Sequence, residues 1–107
     1  MQDRRGVILL MFDVPVTDAE QRREYTAFRK QLKHAGFTQL QRSVYVKLMR
    51  NMDSLSGEMG RIKSILPSGG EVGVLPMTLS AFKTYTALKG PAFDFSLFSD
   101  DLVFIGD

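Results

Sequence analysis

Val7-Ile-Leu-Leu-Met-Phe12, an apolar run broken by Asp13 and Pro15, is the stretch on which the reading of this chain turns. Apolar side chains at every position, rather than at alternate ones, predict a strand buried on both faces and therefore central in its sheet. Pro15 lacks the donor that a ladder needs and closes the strand. Downstream, Thr17 or Asp18 offers an N-cap, Glu20 places a negative charge in the first turn, and Tyr25, Phe28, Leu32 and Ala35 recur at helical spacing until Gly36. That pattern predicts a helix over 18–35. Phe37–Gln41 and Ser43–Met49 are β-rich and almost contiguous, which predicts a hairpin. Leu55, Met59, Ile62 and Leu66 then place a second helix over 51–66, with Asp53 and Ser54 as cap candidates and Pro67 as its stop. Gly57 and Gly60 weaken that helix by up to ~1 kcal/mol each relative to alanine. A turn at Ser68-Gly-Gly70 leads into a strand over Glu71–Pro76.

Strand, helix, strand, strand, helix, strand is the order of a ferredoxin-like α+β domain, βαββαβ, whose antiparallel four-stranded sheet carries both helices on one face. About 30 residues follow the completed plan, and they are apolar enough to need covering. Ala81–Leu88 is predicted as one more strand, Gly90-Pro91 breaks it, and Phe93, Phe95, Leu97 and Phe98 lead to a terminal run, Leu102–Ile105. The expected organisation is a ferredoxin-like domain over 1–90 and an apolar tail over 91–107, with extra C-terminal strands. Phe93, Phe95 and Leu97 lie two residues apart, the spacing by which an added strand seats alternate side chains on a neighbouring chain; Leu102 and Phe104 are further anchors of the same docking segment.

At 107 residues the chain fits one domain, and a domain this small leaves so much surface unburied that pairing with a second copy adds useful stability. A homodimer is expected. The absence of cysteine excludes a disulfide framework, a thiolate metal site and a cysteine nucleophile together, and points to a reducing compartment. No apolar run approaches the ~20 residues of a bilayer span and no signal peptide opens the chain, so a cytoplasmic protein without membrane association is expected. The net charge of +2 conceals an asymmetry: residues 1–50 hold ten Lys or Arg against five Asp or Glu, and residues 51–107 hold four against seven. A basic half of this kind attracts a polyanion.

Self-contained catalytic motifs are missing: no phosphate-binding glycine loop, no HExxH helix and no zinc-deaminase signature occur. His34, the single histidine, is placed at a helix end, where it complements the dipole. Ser43 has no histidine within sequence reach to suggest a triad and reads as a strand residue. Asp13 stands out because it follows a fully apolar strand at the point where the chain leaves the sheet. One carboxylate is a poor magnesium site, but a two-fold dimer brings up a second Asp13, and a shared cation would relieve their repulsion and activate water for phosphodiester attack. The same aspartate equally suits the turn before Pro15 or the cap of the first helix. On that helix Arg22, Arg29 and Lys33 fall within about 40° of one another, flanked by Arg23 and Lys30, as a stripe about 16 Å long that could follow the phosphates of a duplex with little sequence preference. The alternative is a solvated face whose cations pair with Glu20 and Glu24.

Leu10-Met-Phe-Asp-Val-Pro15, Arg22-Arg-Glu-Tyr25, Phe28-Arg-Lys30, Gly36-Phe37 and Gln41-Arg-Ser-Val-Tyr-Val46, in that order and spacing, resemble the Cas two family, the small subunit of the CRISPR spacer-acquisition complex, and most of all its members from type II systems. The resemblance implies a ferredoxin-like homodimer that bridges two dimers of the integrase subunit and carries the double-stranded DNA protospacer for integration into the CRISPR array, with integration catalysed by the integrase. It also implies the alternative of a stand-alone, magnesium-dependent endonuclease acting on single-stranded RNA or double-stranded DNA. In that case the aspartate ending the first strand, Asp13 here, is the catalytic and metal-binding residue shared across the dimer. The family's serine and aromatic of the third strand correspond to Ser43 and Tyr45, with tyrosine where many members have phenylalanine; no catalytic role is carried to either. The apolar tail would then dock on the second protomer or on the integrase subunit. A third reading, an RNA-recognition module of the same fold, lacks the aromatic-rich sheet motif.

Overall fold

The computed structural model describes residues 3–98. Four strands, β1 (Gly6–Asp13), β2 (Thr38–Gln41), β3 (Val44–Met49) and β4 (Glu71–Thr78), form one antiparallel sheet in the order β2-β3-β1-β4. Helix α1 (Ala19–His34) connects β1 to β2, α2 (Leu55–Lys63) connects β3 to β4, and a one-turn α3 (Leu79–Phe82) follows β4. This is the expected ferredoxin-like α+β order, with β1 central. Leu9 pairs with Val46 of β3 on one side and Leu75 of β4 on the other.

The apolar run of β1 serves two cores. Ile8, Leu10 and Phe12 face the helices and pack with Phe28, Leu32, Phe37, Tyr45, Met49 and Ile62. Val7 and Val46 face the other way, onto Leu79 and Phe82. The second face is covered over only part of its length: Met11 and Leu75 remain 41 % and 51 % exposed.

Helix α1 begins one residue after Asp18, whose side chain accepts from the Gln21 amide while Gln21 reaches back to the cap backbone. This reciprocal capping fixes where the chain turns after Asp13. Helix α2 is shorter than its predicted span: a 3₁₀ turn over Met52–Ser54 precedes it, capped by Asn51, and Ser54 makes no side-chain cap bond. Leu66, predicted on its apolar face, lies beyond the helix and is 47 % exposed.

The strand predicted over Ala81–Leu88 does not form. Thr78 Oγ1 accepts from the Ala81 amide and starts α3 instead, and Leu79 and Phe82, three residues apart, are both buried. Apolar residues at 79, 82 and 85 follow the helical period, three residues apart, rather than the alternation of a strand. The start of the tail is likewise not extended. Phe95–Phe98 form a 3₁₀ turn, and the rings of Phe93, Phe95 and Phe98 lie 5.3, 5.8 and 5.9 Å from Phe82 of the same chain, with Leu97 turned outward at 52 % exposure. Leu102 and Phe104, with the terminal run that contains them, lie outside the described residues. Among the described residues no helix is long and apolar enough to cross a membrane.

Candidate functional site

Asp13 is the last residue of β1 and is exposed, directly across the ladder from Glu71. Strand alternation puts it on the same face as Leu9 and Met11, the half-covered one. Two contacts fix its backbone. The Phe12 amide donates to the Ser43 carbonyl at 3.1 Å, which draws the β2–β3 turn against the end of β1. Gly70, at φ +83°, brings the loop before β4 so close that a Cβ there would collide with the Asp13 carbonyl oxygen and stand 2.8 Å from Val14 Cα. Only glycine suits both the conformation and the gap.

The result is a hollow of about 430 Å³ whose lining includes Asp13, Arg22, Tyr25, Thr26, Arg42 and Ser43. On its other side Asp13 borders a shallower concavity with Glu71 and Gly73. Among the described residues no three His, Asp or Glu side chains stand together as a metal cluster. One chain therefore offers one carboxylate and its cross-strand neighbour, which is the share magnesium usually takes from protein when waters and phosphate complete its shell.

The basic stripe divides. Arg22, Arg23 and Lys30 surround a shallow hollow floored by Ala19, Thr26 and Ala27. Lys33 is exposed in the last turn of α1, beside His34. Arg29 has turned inward: its Nε donates to the Tyr45 hydroxyl at 3.0 Å and its guanidinium sits 5.5 Å from the Tyr25 ring centroid. Donating to the Tyr45 hydroxyl raises the Arg29 pKa above its ordinary value, and the guanidinium acts as a bracket between two tyrosines. Tyr45 is fully buried in the helix-side core. The pairing of Glu24 with the stripe, on which the alternative of a solvated face rested, is not found among the described residues; Glu24 accepts from the Ser68 amide at 3.0 Å and hydroxyl at 2.7 Å, and the hydroxyl bond lowers its pKa. Among the described residues Arg22, Arg23, Lys30 and Lys33 are in no ion pair.

Sequence reasoning missed Arg42 and Glu71. Both were legible in principle, Arg42 as the residue between two nearly contiguous strands and Glu71 as the head of the strand that pairs with β1, but their meeting at Asp13 depends on register. It also missed a polar network on the helix side, where Lys47 Nζ meets Glu58 Oε1 at 3.0 Å and Arg61 meets Glu58 Oε2 at 3.2 Å.

Residues 7–84 match the family described as CRISPR associated protein Cas2. Among similar proteins are the CRISPR-associated endoribonuclease Cas2 of Ligilactobacillus salivarius, 40 % identical over 83 residues that cover 78 % of this chain and 82 % of that protein. The protein of the same name from Streptococcus mutans is 37 % identical over 102 residues, 94 % of each chain, and that from Acidovorax ebreus is 37 % identical over 83 residues, 78 % of this chain and 81 % of its own. With an aspartate closing a central strand, a basic helix beside it and these matches along most of its length, the chain belongs to the CRISPR associated protein Cas2 family.

Proposed function

We propose that this chain works in CRISPR adaptation as a homodimer that bridges dimers of the integrase subunit and holds a protospacer duplex by its backbone. The observation that carries the dimer is the half-covered sheet face: Met11 and Leu75 are exposed there, and Asp13 stands two residues beyond Met11 on the same face. A second copy laid on that face would bury the apolar patch and bring up a second Asp13. The duplex would meet the outer side of α1, where Arg22, Arg23 and Lys30 stand around small residues that let a phosphate backbone approach.

The second reading, a metal-dependent endonuclease, is favoured by the exposure of Asp13 in a hollow that also holds Arg22 and Arg42, and by the endoribonuclease name its relatives carry. Asp13, with Glu71 across the strand, would hold a magnesium ion shared between protomers; when bound, such an ion neutralises phosphate charge and makes its water more acidic. The chain's own part is to hold those carboxylates at a rigid strand end and to seat phosphate between its arginines. One matched pair of assays separates the readings. Asp13→Ala is expected to abolish magnesium-dependent cleavage of RNA or DNA if the chain is a nuclease, and to leave spacer acquisition at wild-type level if its role is the scaffold. Loss of acquisition by Asp13→Ala in a folded dimer would overturn the scaffold reading, and a monomer of about 12 kDa by light scattering would remove the shared site.

A further inference from the structure

Arg42 was not among the residues that the sequence pattern assigned to nucleic acid, yet the fold brings it together with Arg22 in the lining of the hollow that holds Asp13. We propose that Arg42 and Arg22 form a two-guanidinium clamp that seats one phosphate of a nucleic-acid strand beside Asp13. This deepens the nucleic-acid reading above and rests on it.

Charge comes first. Two guanidinium groups against one carboxylate leave the hollow net positive, and among the described residues neither arginine is in an ion pair. Arg22 makes one long bond, from NH1 to the Val16 carbonyl at 3.4 Å, and Arg42 engages its neighbours through its backbone carbonyl, which accepts from Gln39 Nε2 at 3.3 Å. Most donors of both planar forks are therefore uncommitted, and such forks match a phosphate bidentately.

Rigidity comes second. Arg42 sits in the tight turn between β2 and β3, and the next residue, Ser43, is bonded through its carbonyl to the Phe12 amide of β1. Tyr25, in the wall of the hollow, is held by Arg29 over its ring and by the edge of Phe12, 6.0 Å away. A phosphate would meet a site already formed. Continuity comes third. Arg22 and Thr26 line both this hollow and the shallow one on the outer side of α1, so a backbone lying on Arg23 and Lys30 leads without a gap to Arg42 and Asp13.

The test uses the full chain, without divalent metal, titrated against fluorescent single-stranded RNA and against duplex DNA over a range of salt. Arg42→Ala is expected to weaken binding about fivefold to tenfold and to flatten the log–log salt slope by about 0.7 for the single strand or 0.9 for the duplex, and the probe that shows the change identifies the polymer seated. Arg42→Lys should keep the slope and recover only part of the affinity. Lys63→Ala, outside the hollow on α2, should bind as wild type. Arg42→Gln removes the charge but keeps the aliphatic stem and a polar end, and replaces the alanine variant if that does not fold. Wild-type affinity and slope in Arg42→Ala, with the wild type binding normally, would overturn the clamp and leave the proposed function standing. Failure of the wild type to bind either probe overturns both.

Discussion

Glu58 shows how one residue escapes the pattern around it. It occupies an inward position of α2 with its side chain 8 % exposed, at a place where an apolar residue would be expected. Burial pushes its carboxyl up, but hydrogen bonds and charge from Lys47 and Arg61 outweigh that and hold it below the ordinary glutamate value. A group with a lowered folded pKa binds fewer protons folded than unfolded, so its contribution is complete above about pH 4.3 and disappears as pH falls through the folded value. Glu58→Gln is expected to cost about 2 kcal/mol at neutral pH, less than the loss of a fully buried pair because Lys47 keeps 19 % exposure, and to flatten the acid limb of a thermal-melt series. Gly70 is the other decisive single position. Gly70→Ala should cost at least about 1–2 kcal/mol through its left-handed backbone alone and should also displace Asp13, whose carbonyl a new Cβ would strike. Calorimetry would read the first effect as a melting point lower by roughly 4–8 °C per kcal/mol, and backbone amide shifts near Asp13 the second.

At the scale of the element, α1 divides its cations between two tasks. Arg22, Arg23 and Lys30 face outward, and their joint replacement by alanine is expected to weaken duplex binding and to flatten the salt slope by up to about 0.9 per lost phosphate contact, with little change in melting point. Arg29→Ala should do the reverse. It removes the bond to the buried Tyr45 hydroxyl, an interaction worth about 1–3 kcal/mol, so melting should fall while the salt slope stays put. A measured slope change for Arg29→Ala equal to that of Arg22→Ala would contradict this division.

At the scale of the whole molecule, the sheet is a two-sided object finished on one side. The helix face is closed by α1 and α2, whereas the other face is covered where Phe82 gathers Tyr85, Phe93, Phe95 and Phe98 and open around Met11 and Leu75. Truncation after Gly90 removes three of those rings from Phe82. It is expected to lower the melting point of the chain, and sedimentation of the truncated form tests the open face separately: a stable dimer would show that pairing needs only the sheet, and a folded monomer that it needs the tail.

The sequence by itself determined the order of strands and helices, the central place of β1, the aspartate at its end and the basic character of α1, because each is a local pattern: an unbroken apolar run, a helical period, a capping residue, a cluster of charge. It misread Ala81–Leu88 and Phe93–Leu97, where apolar residues separated by two or three positions satisfy either period until a partner surface chooses between them; Phe82, buried against Val7 and Val46, made that choice. Only the tertiary structure could decide which cations of α1 face outward, since the turning of Arg29 depends on a tyrosine 16 residues away in β3. The meeting of Arg42, Arg22 and Glu71 at Asp13 is of the same kind. It follows from strand register and from the close approach of the Gly70 loop, distances between segments that no single stretch of sequence contains.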